Sequence, residues 1–220
     1  MSQQIAVFDL DDTLICGDSS LLWTEYLWEK GIITDHRFIE ADQKMMADYS
    51  AGKLDMHDYL AFNLQSLNQV HYEQVDIWLT DFVETKIKSI FYPAAKKQLA
   101  IYRQQNIPII IISATVSFVV KKIAAAFGVP TAMGIDMVMK DDCYTGSILG
   151  IPTFREGKVA RLQQWLTEQN LSPQHISFYT DSMNDLPMCL FANEVFTVNA
   201  DIRLQKEAEN HGWRQLSWVL

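Results

Sequence analysis

Ile109, Ile110, Ile111 and Ile112 follow Pro108 without interruption and give way to Ser113. Isoleucine is β-branched and fits extended backbone better than helix. A strand with one wet face alternates apolar and polar positions, whereas an unbroken run marks a strand covered on both faces. Such strands belong to parallel sheets, whose neighbours are joined by long crossovers, usually helices. The isoleucine run therefore commits the surrounding chain to an α/β fold.

The rest of the sequence agrees with that commitment. Ile5-Ala6-Val7-Phe8 is a second short apolar run. From residue 93 onward strand and helix signals alternate. Helix is expected over 93–105, with proline in its first turn, strand over 108–112, and helix over 116–127 before Gly128. Strands over 132–139 and 144–149 are separated by the polar Lys140-Asp141-Asp142 turn. Helix over 157–169, strand over 176–179, helix over 185–191, strand over 195–198, helix over 201–211 and a short strand over 214–217 complete the chain. This order implies a doubly wound, mostly parallel sheet. Residues 19–89 differ: amphipathic helical segments at 20–30, 35–49, 55–67 and 72–90 follow one another without a strand, punctuated by Gly31, Gly52 and Asn68. They read as a helical insertion (18–90) placed after the first strand, with 1–17 and 91–220 forming the core. Trp23, Tyr26, Trp28, Phe38, Tyr49, Tyr59 and Phe62 are expected to form the insertion's own core, with the alternative that one or two of them line the pocket and choose the leaving group.

Where the first strand ends, the chain reads Asp9-Leu10-Asp11-Asp12-Thr13. Period-2 spacing puts Asp9 and Asp11 on one side of an extended backbone, and like charges that close are costly without a cation or a proton between them. Asp12 is read as pointing away. In open α/β sheets ligands bind beyond the carboxyl ends of the strands. Gathering the polar residues there adds Ser113 and Thr115, then Thr180, Asp181, Ser182, Asn184 and Asp185, with Lys158 at the start of a helix.

Four segments now resemble the four motifs of the haloacid-dehalogenase (HAD) superfamily of phosphohydrolases, in order: Phe8-Asp9-Leu10-Asp11-Asp12-Thr13-Leu14, Ile112-Ser113-Ala114-Thr115, Glu156-Gly157-Lys158-Val159 and Tyr179-Thr180-Asp181-Ser182-Met183-Asn184-Asp185. A helical cap between the first two is similar to subfamily IB, the phosphoserine phosphatase-like branch. The resemblance implies a Rossmannoid core, and a Mg²⁺-dependent phosphatase acting through an aspartyl-phosphate. It implies Asp9 as nucleophile and Asp11 as general acid and then base. Asp9, the Asp11 carbonyl and Asp181 would hold Mg²⁺. Ser113, the Ala114 amide and Lys158 would bind the phosphoryl group, and Asp185 would steady the metal shell or Lys158. Thr13 and Asn184 would support the loops. Asp18 stands where a cap-proximal glutamate contacts the substrate amine in phosphoserine phosphatases, and is equally readable as a helix cap. The resemblance is imperfect at Ser-Ala-Thr in the second motif and at Ser-Met in the fourth. Four carboxylates offset by Mg²⁺, Lys158 and one proton would leave the pocket near neutral, so that a dianionic phosphate can enter.

The formal net charge of −9 argues against nucleic acid as a partner. Three well-separated cysteines without a CxxC argue against a disulfide framework or zinc site and fit a reducing cytoplasm. The N-terminus lacks a basic n-region, so no signal peptide is expected, and no apolar run reaches the ~20 residues that cross a bilayer. The expected partner is a small phosphorylated metabolite. Phosphoserine, histidinol phosphate and sugar or polyol phosphates all remain open, and oligomeric state is not legible. Two alternatives stand beside hydrolysis: phosphotransfer to an alcohol on the same scaffold, and a phospho-acceptor, receiver-like switch. The nucleophile on the first strand and an acid/base at Asp11 weigh against the switch.

Overall fold

The computed structural model describes residues 4–50 and 53–220; Gly52 lies outside them. The chain opens with β1 (Gln4–Phe8), followed by α1 (Ser19–Glu29), α2 (His36–Ser50), α3 (Met56–Asn63) and α4 (Tyr72–Phe82). Next come α5 (Pro93–Gln104), β2 (Ile109–Val116), α6 (Ser117–Ala126), β3 (Thr131–Ile135), β4 (Met137–Lys140) and β5 (Cys143–Ile148). The remainder is α7 (Glu156–Glu168), β6 (His175–Thr180), α8 (Leu186–Phe191), β7 (Glu194–Val198), α9 (Ile202–His211) and β8 (Arg214–Leu216). Six strands form one parallel sheet in the order β3-β2-β1-β6-β7-β8.

Both faces of the central strands are covered. Ala6 and Phe8 of β1, with Ile109 and Ile111 of β2, enter one apolar cluster, while Ile5, Val7, Ile110 and Ile112 enter another on the opposite face. The first cluster is continuous with Trp23, Tyr26, Leu27, Leu60 and Phe82 of the helical insertion, so the insertion and the sheet share apolar packing. Full burial of a valine, leucine, isoleucine or phenylalanine side chain contributes roughly 1.5–3 kcal/mol.

Four expected elements need correction. The segment 132–139 is two strands, not one: β3 joins the parallel sheet, and β4 leaves it to pair antiparallel with β5. The break falls at Asp136, whose carboxylate is held by Ser117 at the start of α6 and by Arg161 on α7. The expected helices at 55–67 and 72–90 are each broken. The first ends in a 3₁₀ turn (Leu64–Leu67), and the second passes through a π-helical turn (Val83–Ile87) and a 3₁₀ turn (Lys88–Ile90). Leu64, Leu67, Val83 and Ile87 stay buried, so apolar spacing survives while hydrogen-bond spacing changes. The strand expected over 108–112 runs on to Val116 through a register shift between Ile112 and Val116, which brings Ser113 and Thr115 onto the strand itself. Among the described residues no helix is long and apolar enough to cross a membrane.

Candidate active site

The adjacent carboxyl ends of β2, β1 and β6 bring together three of the four motifs, and α7 delivers the lysine of the other. At the end of β1 the Asp9 amide still donates to the Tyr179 carbonyl of β6 (2.9 Å). The chain then coils tightly, with the amides of Thr13, Leu14 and Ile15 directed at the Leu10 carbonyl. Asp12 takes the left-handed conformation at φ 49°, which aspartate tolerates better than most residues.

Lys158 is the most constrained group here. It sits in the first turn of α7, and the residue before it must be glycine: a Cβ on Gly157 would lie 1.9 Å from the Pro152 carbonyl oxygen. The Lys158 side chain is 1% exposed, with Nζ 2.9 Å from Asp9 Oδ1 and 2.7 Å from Asp185 Oδ1. Burial alone would lower its pKa, but the carboxylates of Asp185 and Asp9 hold it above the usual lysine value. The Thr180 hydroxyl donates to Asp185 (2.7 Å), fixing that carboxylate in turn. Asp185 is thus paired with Lys158.

Burial raises Asp9 well above the ordinary carboxylate range. Lys158 pulls it down, while Asp185, Asp181 and Asp11 push it further up. Asp181 is raised as well, through burial and then through Asp12 and Asp185. The Thr13 hydroxyl donates to Asp181 Oδ1 (3.2 Å). Asn184 is buried, and its side-chain amide donates to the Tyr49 carbonyl at the end of α2 (3.2 Å), joining the fourth motif to the insertion.

Asp11 accepts three hydrogen bonds: from the Ser19 amide (2.7 Å), the Ser113 hydroxyl (3.1 Å) and the Thr115 hydroxyl (3.0 Å). The Ser113 side chain is fully buried and engages Asp11 and the Thr115 amide, whereas Ala114 and Thr115 line the cavity.

That cavity has a volume of about 170 Å³. Its polar floor includes Asp9, Asp11 and Asp181, and its other wall is Met46, Tyr49, Met56 and Tyr59 from the insertion. Asp12, although exposed, also lines it and acts on Asp181, so it does not point away. Asp18 caps a helix and also borders the cavity. Its Oδ1 caps α1 through the amides of Ser20 (2.8 Å) and Leu21 (2.9 Å), and the side chain lines the cavity. Burial, and then the Asp11 carboxylate, push its pKa up to about 8. Of the aromatic residues assigned to the insertion's interior, Trp23 and Tyr26 are there, and Phe38 stacks on Phe62. Trp28 is exposed, and Tyr49 and Tyr59 face the cavity. Sequence reasoning missed Asp201 and Arg203, which line the rim just past β7. Applying the strand-end rule to that strand as well would have found Asp201.

Among the described residues no three His, Cys, Asp or Glu side chains cluster closely enough to form a metal cage. Asp9, buried, and Asp181, half-buried, nevertheless form an all-oxygen, like-charged pair whose crowding a hard divalent cation would relieve. Mg²⁺ is characteristically bound by one or two carboxylates with retained waters, so this donor set fits it.

The family model described as haloacid dehalogenase-like hydrolase matches residues 6–189. A histidinol-phosphatase of Neisseria meningitidis is 32% identical over 220 residues, covering 98% of this chain and 99% of its own. The crystal structure of a protein with unknown function from Bordetella pertussis superposes with a TM-score of 0.91 at 30% identity, over 98% of this chain and 99% of that one. A phosphoserine phosphatase solved as a phospho-aspartyl intermediate analogue has a TM-score of 0.71 at 17% identity, over 98% and 94% of the two chains, and shares the fold. The chain belongs to the haloacid dehalogenase-like hydrolase family and is one of its phosphatases.

Proposed function

We propose that the protein hydrolyses a small phosphomonoester through an aspartyl-phosphate on Asp9, with L-histidinol phosphate as the favoured substrate. The observation that carries the mechanism is the buried Asp9–Lys158–Asp185 row, which fixes one carboxylate at a strand end beside a permanent positive charge. Asp9 attacks phosphorus, the ester P–O bond breaks, and the departing alkoxide takes a proton from Asp11. Water then attacks the phosphorus of the acyl phosphate and gives its proton to Asp11, which releases inorganic phosphate and restores Asp9. Lys158 and the Ala114 segment hold the phosphoryl oxygens, and Ser113 acts through Asp11. Mg²⁺, held by Asp9, Asp181 and the Asp11 carbonyl, would neutralise and polarise the phosphoryl group. With the cap over 18–90, Asp18 offers a carboxylate to a substrate ammonium, and Tyr49 with Tyr59 offers aromatic surface to a flat leaving group. The near full-length similarity to a histidinol-phosphatase supports the choice of substrate. The free Cys16, Cys143 and Cys189 suit a reducing cytoplasm.

Release of phosphate from L-histidinol phosphate, O-phosphoserine and p-nitrophenyl phosphate, measured with Mg²⁺ and after chelation, tests this. Histidinol phosphate should show the highest kcat/KM, and chelation should remove activity on all three. A preference for phosphoserine would reassign the leaving group. Undiminished activity after chelation, or no phosphate release from any ester, would overturn the mechanism.

A further inference from the structure

Thr115 carries more contacts to the proposed acid than its place at the end of a motif suggests. A threonine hydroxyl has a single proton to give. That proton is given to Asp11 Oδ2 at 3.0 Å. The contacts of the same oxygen with Ser20 Oγ (3.1 Å) and Ser19 Oγ (3.3 Å) must then be donated to Thr115. The result is a directional run of hydroxyls from the first turn of α1 in the insertion, through Thr115, to Asp11. The Thr115 amide also donates to Ser113 Oγ (3.0 Å), which itself donates to the same Asp11 oxygen (3.1 Å). The backbone here has no room to drift: a Cβ on Gly134 of β3 would come within 2.5 Å of the Thr115 carbonyl oxygen.

We propose that Thr115 is a positioning residue for Asp11, holding its carboxyl toward the departing oxygen and tying that orientation to the first helix of the insertion. The inference rests on Asp11 being the general acid, as in the proposed function. It assigns to Thr115 a task distinct from holding phosphate, and it makes Ser20 the link through which the insertion reaches the acid.

The leaving group supplies the test. An alkoxide needs a proton to depart, whereas p-nitrophenolate leaves readily without one, and kcat/KM reports the steps up to that departure. Thr115→Val keeps the shape and removes the hydroxyl. It should lower kcat/KM on histidinol phosphate by about 10- to 100-fold, the worth of a hydrogen bond to a charged group, and lower it far less on p-nitrophenyl phosphate. Thr115→Ser should restore most of the alkyl-ester activity, and Ser20→Ala should show a smaller loss with the same ester preference. Equal losses on both esters, no loss on either, or a serine variant as poor as the valine variant would overturn the inference. If instead the wild-type enzyme cleaves neither ester, the phosphatase mechanism itself fails. A wild-type enzyme active on both, with Thr115→Val showing no ester preference, leaves that mechanism standing and removes only the role of Thr115.

Discussion

Asp9→Asn should reduce turnover by about 10⁴-fold or more, as loss of a nucleophile does in enzymes that form covalent intermediates. The carboxamide has nearly the shape of the carboxylate, and its oxygen can still accept the Leu10 amide that now reaches Asp9 Oδ1 at 2.8 Å. Lys158 keeps Asp185 as a partner, so no lone charge is buried. The loss should therefore be chemical, with the folded state retained and the melting temperature little changed. It should fall equally on alkyl and aryl esters, because the missing step is formation of the bond to phosphorus, before leaving-group protonation matters. Steady-state phosphate release together with a melting curve checks both halves. Near wild-type turnover in a folded Asp9→Asn protein would remove Asp9 as nucleophile.

Lys158→Met should be the most damaging of the site substitutions for stability. Methionine fills much of the lysine volume, but it leaves Asp9 and Asp185, with side chains 10% and 2% exposed, facing one another without a cation. Breaking a buried ion pair from one side costs about 3–5 kcal/mol, which for a chain of this size lowers the melting temperature by roughly 10 °C. Its pH dependence follows from Asp9. That carboxyl already sits well above the ordinary carboxylate range in the folded protein because it is buried, and Lys158 is the group that pulls it down. Without the lysine it rises further, so the folded state binds its proton more tightly than the unfolded chain does. Stability from such a group is present at low pH and lost as pH rises through the folded value. The deficit of the variant should thus be smaller at about pH 5 than at about pH 8. A deficit that grows on acidification, or none at all, would contradict the burial of an unpaired carboxylate at this site.

The parts of the fold that could be read from sequence are those whose signal is local and doubled. The isoleucine run and the Ile5-Ala6-Val7-Phe8 run both become central strands, because unbroken apolar character reflects burial on two faces. The convergence of Asp9, Asp11, Asp181 and Lys158 was legible for a related reason. Each stands beside a regular element, and the strand-end rule needs only the elements to be found. What was not legible depends on distant partners. Nothing local distinguishes Tyr49 and Tyr59, which line the cavity, from Trp23 and Tyr26, which fill the interior. The exit of the chain from the sheet at Asp136 is set by Ser117 and Arg161, 19 and 25 residues away. The π-helical turn at Val83–Ile87 preserves the apolar pattern that would have revealed a break. Ser113 and Thr115 were recognised as a pair, but their shared hold on Asp11 depends on an atom more than a hundred residues earlier.

The central claim divides one reaction between two aspartates, and a single pre-steady-state trace of p-nitrophenol release can test that division. With this leaving group Asp11→Asn still permits attack by Asp9, since nitrophenolate departs without a proton, but removes the base that activates water. A rapid burst of one equivalent of p-nitrophenol per active site, followed by slow turnover, is the expected result for Asp11→Asn, and Asp9→Asn should give no burst. Steady release without a burst from Asp11→Asn, or a full burst from Asp9→Asn, would contradict the assignment.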